Sequence, residues 1–151
     1  MQELISIIDQ ITKYGLRQVE EIEHKKLDLE RWLVALYLKS FARSSAFDEQ
    51  KFKDFDKSDY PQVAQNIRQN FPDLGWYHVI LNSPKVMEKA ELAMGDSEDD
   101  LVDIVYDLLE VRWRYIKNSP ADALWYFEFI FSAHTKDHLI GLLTYFNEMK
   151  S

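Results

Sequence analysis

Two histidines, His134 and His138, stand four residues apart in a stretch whose neighbours read as helix. At that spacing both imidazoles project from one helix face, the arrangement that lets two ring nitrogens bind one metal ion. Following that face gives Phe127, Phe131, His134, His138, then Gly141 or Leu142, and Tyr145. The pair therefore sits on a mostly apolar stripe. Gly141 beside it would admit the close approach of a neighbouring helix or a ligand.

A second helical stretch supplies carboxylates. Asp96, Asp100, Asp103 and Asp107 recur at helical spacing and form a continuous acidic stripe. If the two helices form an antiparallel hairpin about Ser119, His138 lies level with Asp100 and His134 level with Ile104. Asp100 and Asp103 could then complete a site of two histidines and one or two carboxylates, suited to zinc, iron or manganese. The competing readings are plain ones. An acidic stripe opposite Leu101, Ile104, Val105 and Leu108 is ordinarily the solvated face of an amphipathic helix. Histidines on an apolar stripe are ordinarily packed residues satisfied by backbone, water or a carboxylate.

Other chemistries find less support. His134-Thr135-Lys136-Asp137-His138 lacks the glutamate that follows the first histidine in the zincin motif, and only weakly echoes its inverted form. Glu21-Ile22-Glu23-His24 is a lone Glu-x-x-His tetrapeptide in a charged segment, whereas a di-iron bundle needs two. Phosphate loops, nucleophile elbows and dinucleotide fingerprints do not occur. The chain has no cysteine, which removes thiolate catalysis and cysteine-ligated zinc. No serine is nominated for a triad, and His78, between Tyr77 and Val79, reads as a packed residue.

The elements that must position these groups are helical. Leu4, Ile5, Ile7, Ile8 and Ile11 give a first helix over 2–14, which Gly15 loosens or ends. Residues 16–27 either extend it or form a short second piece. Asp28 reads as the N-cap of a helix to about Arg43, with Trp32, Leu33, Leu36, Tyr37, Leu38 and Phe41 facing the core. Residues 44–59 form a polar connector. Tyr60-Pro61 opens a helix that Pro72 closes, and Ser83-Pro84 opens a short one ending at Gly95. Residues 73–81 are the one place for a strand; lacking a ladder partner, they read as an irregular segment or short helix. Acids at 96–100 start a helix to Asn118, and Ser119-Pro120 starts the last one, to about Lys150. Trp125–Phe131 alternates well enough for a strand, but the cap before it and the periodic Leu139, Leu142, Leu143 and Phe146 after it favour helix. The expectation is all-α: one domain over 1–151, a helical bundle ending in a long antiparallel helical hairpin.

Charge and aromatics point toward partners. Acidic residues outnumber basic ones 26 to 18, for a net charge of −8, so nucleic acid and anionic membrane are poor matches. No apolar run approaches the ~20 residues that span a bilayer, and the N-terminus lacks signal-peptide character, so a cytoplasmic setting is expected. Trp113, Tyr115, Trp125 and Tyr126 cluster near the hairpin turn with Arg112 and Arg114, the residue types that anchor interfaces. The leading expectation is thus a non-enzymatic module that binds a protein partner or itself, such as an adaptor or a small inhibitor of a basic partner. The alternative is a metal-binding protein or metal-dependent hydrolase using His134 and His138; otherwise no cofactor is expected.

Three runs, YPQVAQNIRQNFPDLGWYHVIL from Tyr60, GDSEDDLVDIVYDLLEV from Gly95 and ALWYFEFIFSAHTKDHLIGLL from Ala123, resemble in their order a bacterial family of helical domains of unknown function. The resemblance covers about residues 60–150. It implies helices and a bacterial setting, and no activity.

Overall fold

The computed structural model describes residues 1–42 and 47–149. It is mostly helical: α1 (Gln2–Leu16), α2 (Lys25–Lys39), α3 (Val63–Asn70), α4 (Ser97–Lys117), α5 (Pro120–Ile130) and α6 (Lys136–Glu148). A 3-10 turn at Lys57–Asp59 precedes α3, and a π-turn at Phe131–Thr135 joins α5 to α6. Two strands, β1 (Trp76–Ile80) and β2 (Leu92–Asp96), complete the regular structure of the described residues. None of these helices is long and apolar enough to cross a membrane.

α4 is the hub. Leu101, Ile104, Val105, Leu108, Leu109 and Val111 are all buried, because α1, α3, α5 and α6 each pack against it. Ile7, Ile8 and Ile11 of α1, Leu29, Leu33 and Leu36 of α2, and Leu139, Leu142 and Phe146 of α6 belong to the same core. Gly15 sits in the last turn of α1, where a Cβ would stand 2.6 Å from the Val105 side chain. It marks close helix contact and leaves α1 running to Leu16.

Two caps form as the residue types dictate. Asp96 accepts a hydrogen bond from the Glu98 N–H at 3.0 Å, and Ser119 Oγ accepts one from the Asp122 N–H at 3.0 Å, with Pro120 in the first turn. The run Trp125–Ile130 is helical, with Phe127 buried.

The purely α expectation needs correction at residues 73–94. β1 and β2 pair antiparallel, with Tyr77 opposite Gly95, His78 opposite Met94 and Ile80 opposite Leu92. No helix follows Ser83-Pro84; residues 81–91 form the turn of the hairpin, where the Asn82 side chain donates to the Lys89 carbonyl and accepts from the Glu91 N–H. The hairpin is anchored at its base by Ser97, whose hydroxyl donates to the Gly75 carbonyl and accepts from the Gly75 N–H.

α2 also departs from expectation. It begins at Lys25 rather than at Asp28, and the Asp28 carboxylate points back to α1 and accepts from Tyr14 Oη at 2.7 Å and Lys13 Nζ at 2.9 Å. Leu38 and Phe41, expected in the core, are exposed, while Leu33 and Leu36 are buried. α3 starts at Val63, after a turn that holds Pro61. The expected helix ends at Arg43 and Lys150, and the first residues of the 44–59 connector, lie outside the described residues.

Candidate metal centre

α4 and the α5–α6 arm run in opposite directions, since Asp107 meets His134 and Asp100 meets His138. Because α4 is packed on most sides, its acidic stripe cannot all face water. Asp100 and Asp107 are buried at 7% and 5% exposure, and Asp103 between them is half-exposed. The stripe is turned toward the histidines.

The π-turn shapes the other wall. A π-turn is one residue wider than a regular turn and changes which face the following helix presents. His134 lies inside it and His138 one turn beyond, at the start of α6. Thr135, also inside, is buried and donates its hydroxyl to Asp107 Oδ2 at 2.7 Å.

Each imidazole is held from behind by a buried carboxylate. His134 Nδ1 lies 2.8 Å from Asp107 Oδ2, and His138 Nδ1 lies 2.8 Å from Asp100 Oδ1. The two aspartates are two turns apart on α4 and bracket histidines only one turn apart, so the rings lean toward each other. Their Nε2 atoms end 3.1 Å apart. Asp103, midway between the bracketing aspartates, brings Oδ2 to 3.6 Å from His138 Nε2. One ligand atom each from Asp103, His134 and His138 lie within 4.8 Å of one another.

The separation of the two Nε2 atoms matches what one ion requires. Two nitrogens each ~2.0–2.1 Å from zinc sit about 2.8–3.4 Å apart at angles from cis-octahedral to tetrahedral. A histidine that ligates through one nitrogen commonly gives the other N–H to a carboxylate, which fixes the tautomer and the ring. Both histidines have that partner here.

A further link runs from His138 into the hairpin. Tyr77 Oη donates to Asp100 Oδ2 at 2.6 Å, so one phenol holds the carboxylate that holds His138. Burial, then the bond to Asp100 and the charges of Asp100 and Asp96, push the Tyr77 phenol above its ordinary range, so it remains a donor. Gly141 makes room for this phenol: a Cβ there would collide with Tyr77 Oη. The His138 imidazole is pushed upward by its bond to Asp100 and, against burial, by the charges of Asp100, Asp103 and Asp107. Burial and the neighbouring acids, Asp96 foremost, likewise raise Asp99.

Of the residues read from the sequence as a site, His134, His138 and Asp103 come together at one point, and Asp100 stands behind His138. Asp107, Thr135 and Tyr77 complete the arrangement. Asp107 had a signal in the sequence, as the next member of the acidic stripe; Tyr77 had none, because its approach depends on strand pairing. His24 caps α2 away from this place, and His78 is exposed on β1 rather than packed.

The four aromatics near the turn are half-buried. Trp113 meets Phe55 edge-on and Tyr115 packs on the core. Trp125 stacks on Phe129, and Tyr126 donates to Glu110 at 2.8 Å beneath the Arg114 guanidinium. Arg112 and Arg114 are engaged with Asp9 and with Glu110 and Asp122.

No protein-family model, curated protein or solved structure matches the chain.

Proposed function

We propose that this chain binds a divalent transition metal through His134 Nε2, His138 Nε2 and Asp103, with Asp107 and Asp100 orienting the two imidazoles. The observation that carries the reading is the close approach of the two Nε2 atoms, 3.1 Å apart. With both Nδ1 atoms set against buried carboxylates that already accept from Thr135 and Tyr77, each ring directs its Nδ1–H there. Two neutral rings would then aim lone pairs at one another. A cation between them removes that conflict, either a proton or a metal ion, and Asp103 adds a third, anionic donor to the same point.

Two imidazoles and one carboxylate suit zinc, iron(II) or manganese, and zinc holds the strongest place in the general order of affinity among these three. Three protein ligands leave coordination positions for water. Their side is open, since the His134 and Asp103 side chains are 41% and 38% exposed. Water on such an ion is acidified toward neutrality, so the chemistry such a centre supports is metal-assisted hydrolysis. Asp96, Asp99, Asp100, Asp103 and Asp107 make the surroundings anionic and favour a neutral or cationic ligand over a phosphate ester.

Thermal unfolding of EDTA-treated protein, with and without zinc, manganese or iron(II), tests the proposal. An ion present at a hundred times its Kd adds about 2.7 kcal/mol of stability, or roughly 5–10 °C in a domain of this size. The rise should vanish in His134→Ala and His138→Ala. A midpoint that no ion moves would defeat the reading.

A further inference from the structure

Strand alternation gives the β-hairpin two unlike faces. Tyr77, Val79, Ala93 and Gly95 turn inward and are half-buried. Trp76, His78 and Ile80 of β1, with Leu92 and Met94 of β2, turn outward, and all five are exposed. Trp76 is 67% exposed and Leu92 65%, and the turn adds Leu81, Val86 and Met87, the last at 99%. The seven apolar residues among these expose together on the order of 900 Å². Monomeric proteins rarely leave apolar patches of more than a few hundred Å² open to water. A two-stranded sheet is also marginal on its own, and no third strand pairs with it among the described residues.

We propose that this face is a self-association surface, and that two copies of the chain pack hairpin against hairpin about a two-fold axis. Three observations select a second copy as the occupant. Counted together with Leu81, Val86 and Met87 of the adjoining turn, the exposed apolar area is close to the ~800 Å² that each partner contributes to a standard stable interface. The face is a two-stranded antiparallel ladder, with Met94 opposite His78 and Leu92 opposite Ile80, and one such patch can meet the same patch of a second copy under a two-fold. Its charges nearly cancel: Lys85 pairs with Glu88 at 3.4 Å, Lys89 and Glu91 follow, and Asp96 at the end of β2 leaves one negative charge, in a chain whose net charge is −8. The hairpin is therefore where two acidic molecules can meet with little repulsion. A basic partner would be drawn to the acids of α4 instead, and nucleic acid or anionic lipid is repelled by the whole. A smaller apolar stripe, Val34 and Leu38 of α2 with Phe41 in the turn after it, is the rival surface.

Sedimentation velocity from the low to the high micromolar range, on the full chain, decides the matter. The expected result is a mass that doubles with concentration and goes no further. Ile80→Lys with Met94→Lys should hold the protein at single-chain mass with its helical melting curve intact, because both side chains face solvent. Ile116→Lys, exposed on α4 away from the hairpin, should leave the dimer unchanged. Since the chain has no cysteine, Met94→Cys adds an independent readout: oxidation should trap a disulfide-linked dimer, which Ile116→Cys should not yield. The proposal is overturned by a single-chain mass at every concentration, by growth beyond two copies, or by a dimer that survives the hairpin changes and is lost in Leu38→Lys.

Discussion

An imidazole backed by a buried carboxylate has only one nitrogen left to offer, and at this site two such rings offer theirs to the same point. The backing groups should therefore matter almost as much as the ligands. Asp107→Asn and Asp100→Asn should each weaken zinc binding about 10–100-fold while leaving a measurable site, as loss of an orienting partner typically does; competition against a chromogenic chelator would show it. Unchanged affinity in both would mean that the rings are fixed by packing alone. Gly141→Ala makes a sharper test of the link through Tyr77. The added methyl must displace the phenol, so it should cost about 1–3 kcal/mol of stability, as overpacking does, and weaken zinc binding. Combining it with Tyr77→Phe should restore much of the stability and none of the affinity, read by urea melts and chelator competition. The histidine pair was legible in the sequence because i, i+4 spacing is a local property. Asp103 was legible once the two helices were placed side by side. The part played by Asp107 was not, because the inward turn of the stripe is set by how many helices pack around α4. Tyr77 belongs to a strand whose partner lies in a segment that carries the signals of a helix start.

Elements were readable where a single segment carried its own instructions. Asp96 and Ser119-Pro120 cap α4 and α5 because a side-chain oxygen before an apolar run satisfies the first free N–H groups. The strands carry no such local instruction. Leu92-Ala93-Met94-Gly95-Asp96 is poor in β-branched residues, and Pro84 imitates a helix start, so the ladder exists only through pairing. The start of α2 shows the same limit. Asp28 resembles a cap but serves as a bridge to α1, and within α2 its other oxygen accepts from Trp32 Nε1 at 3.1 Å. Although burial alone would raise the Asp28 carboxyl, hydrogen bonds from Lys13 and Tyr14 and the Lys13 charge hold it below the usual range. A lowered folded-state pKa means stability that is fully present above the unfolded value, near 3.9, and lost as pH falls through the folded one. Asp28→Asn should therefore cost about 1–3 kcal/mol near neutrality, and the cost should shrink below about pH 4. Urea unfolding at a series of pH values checks this; a penalty independent of pH would assign the loss to packing.

At the scale of the whole molecule, α4 touches most of the fold and the hairpin touches little of it. Amides in the Leu101–Leu109 turns should exchange with solvent only by global unfolding, whereas those of Trp76–Ile80 and Leu92–Asp96 should exchange through local opening, many-fold faster, in dilute protein. Native-state hydrogen exchange measures both. Equal rates would mean that the hairpin is as firmly held as the core. Besides Ser97 at the hairpin base, the two regions are joined by Tyr77, which lies on the inner face of β1 and donates to the carboxylate behind His138. Thermodynamics gives that shared residue a consequence. An ion that steadies His138 through Asp100 also steadies the strand carrying Tyr77, and any molecule that settles on the far face of that strand steadies the phenol in turn. Whatever factor one event imposes on the affinity of the other must be returned in full. Metal supply and association state would then be read by a single coupling free energy, to which the Tyr77–Asp100 hydrogen bond contributes.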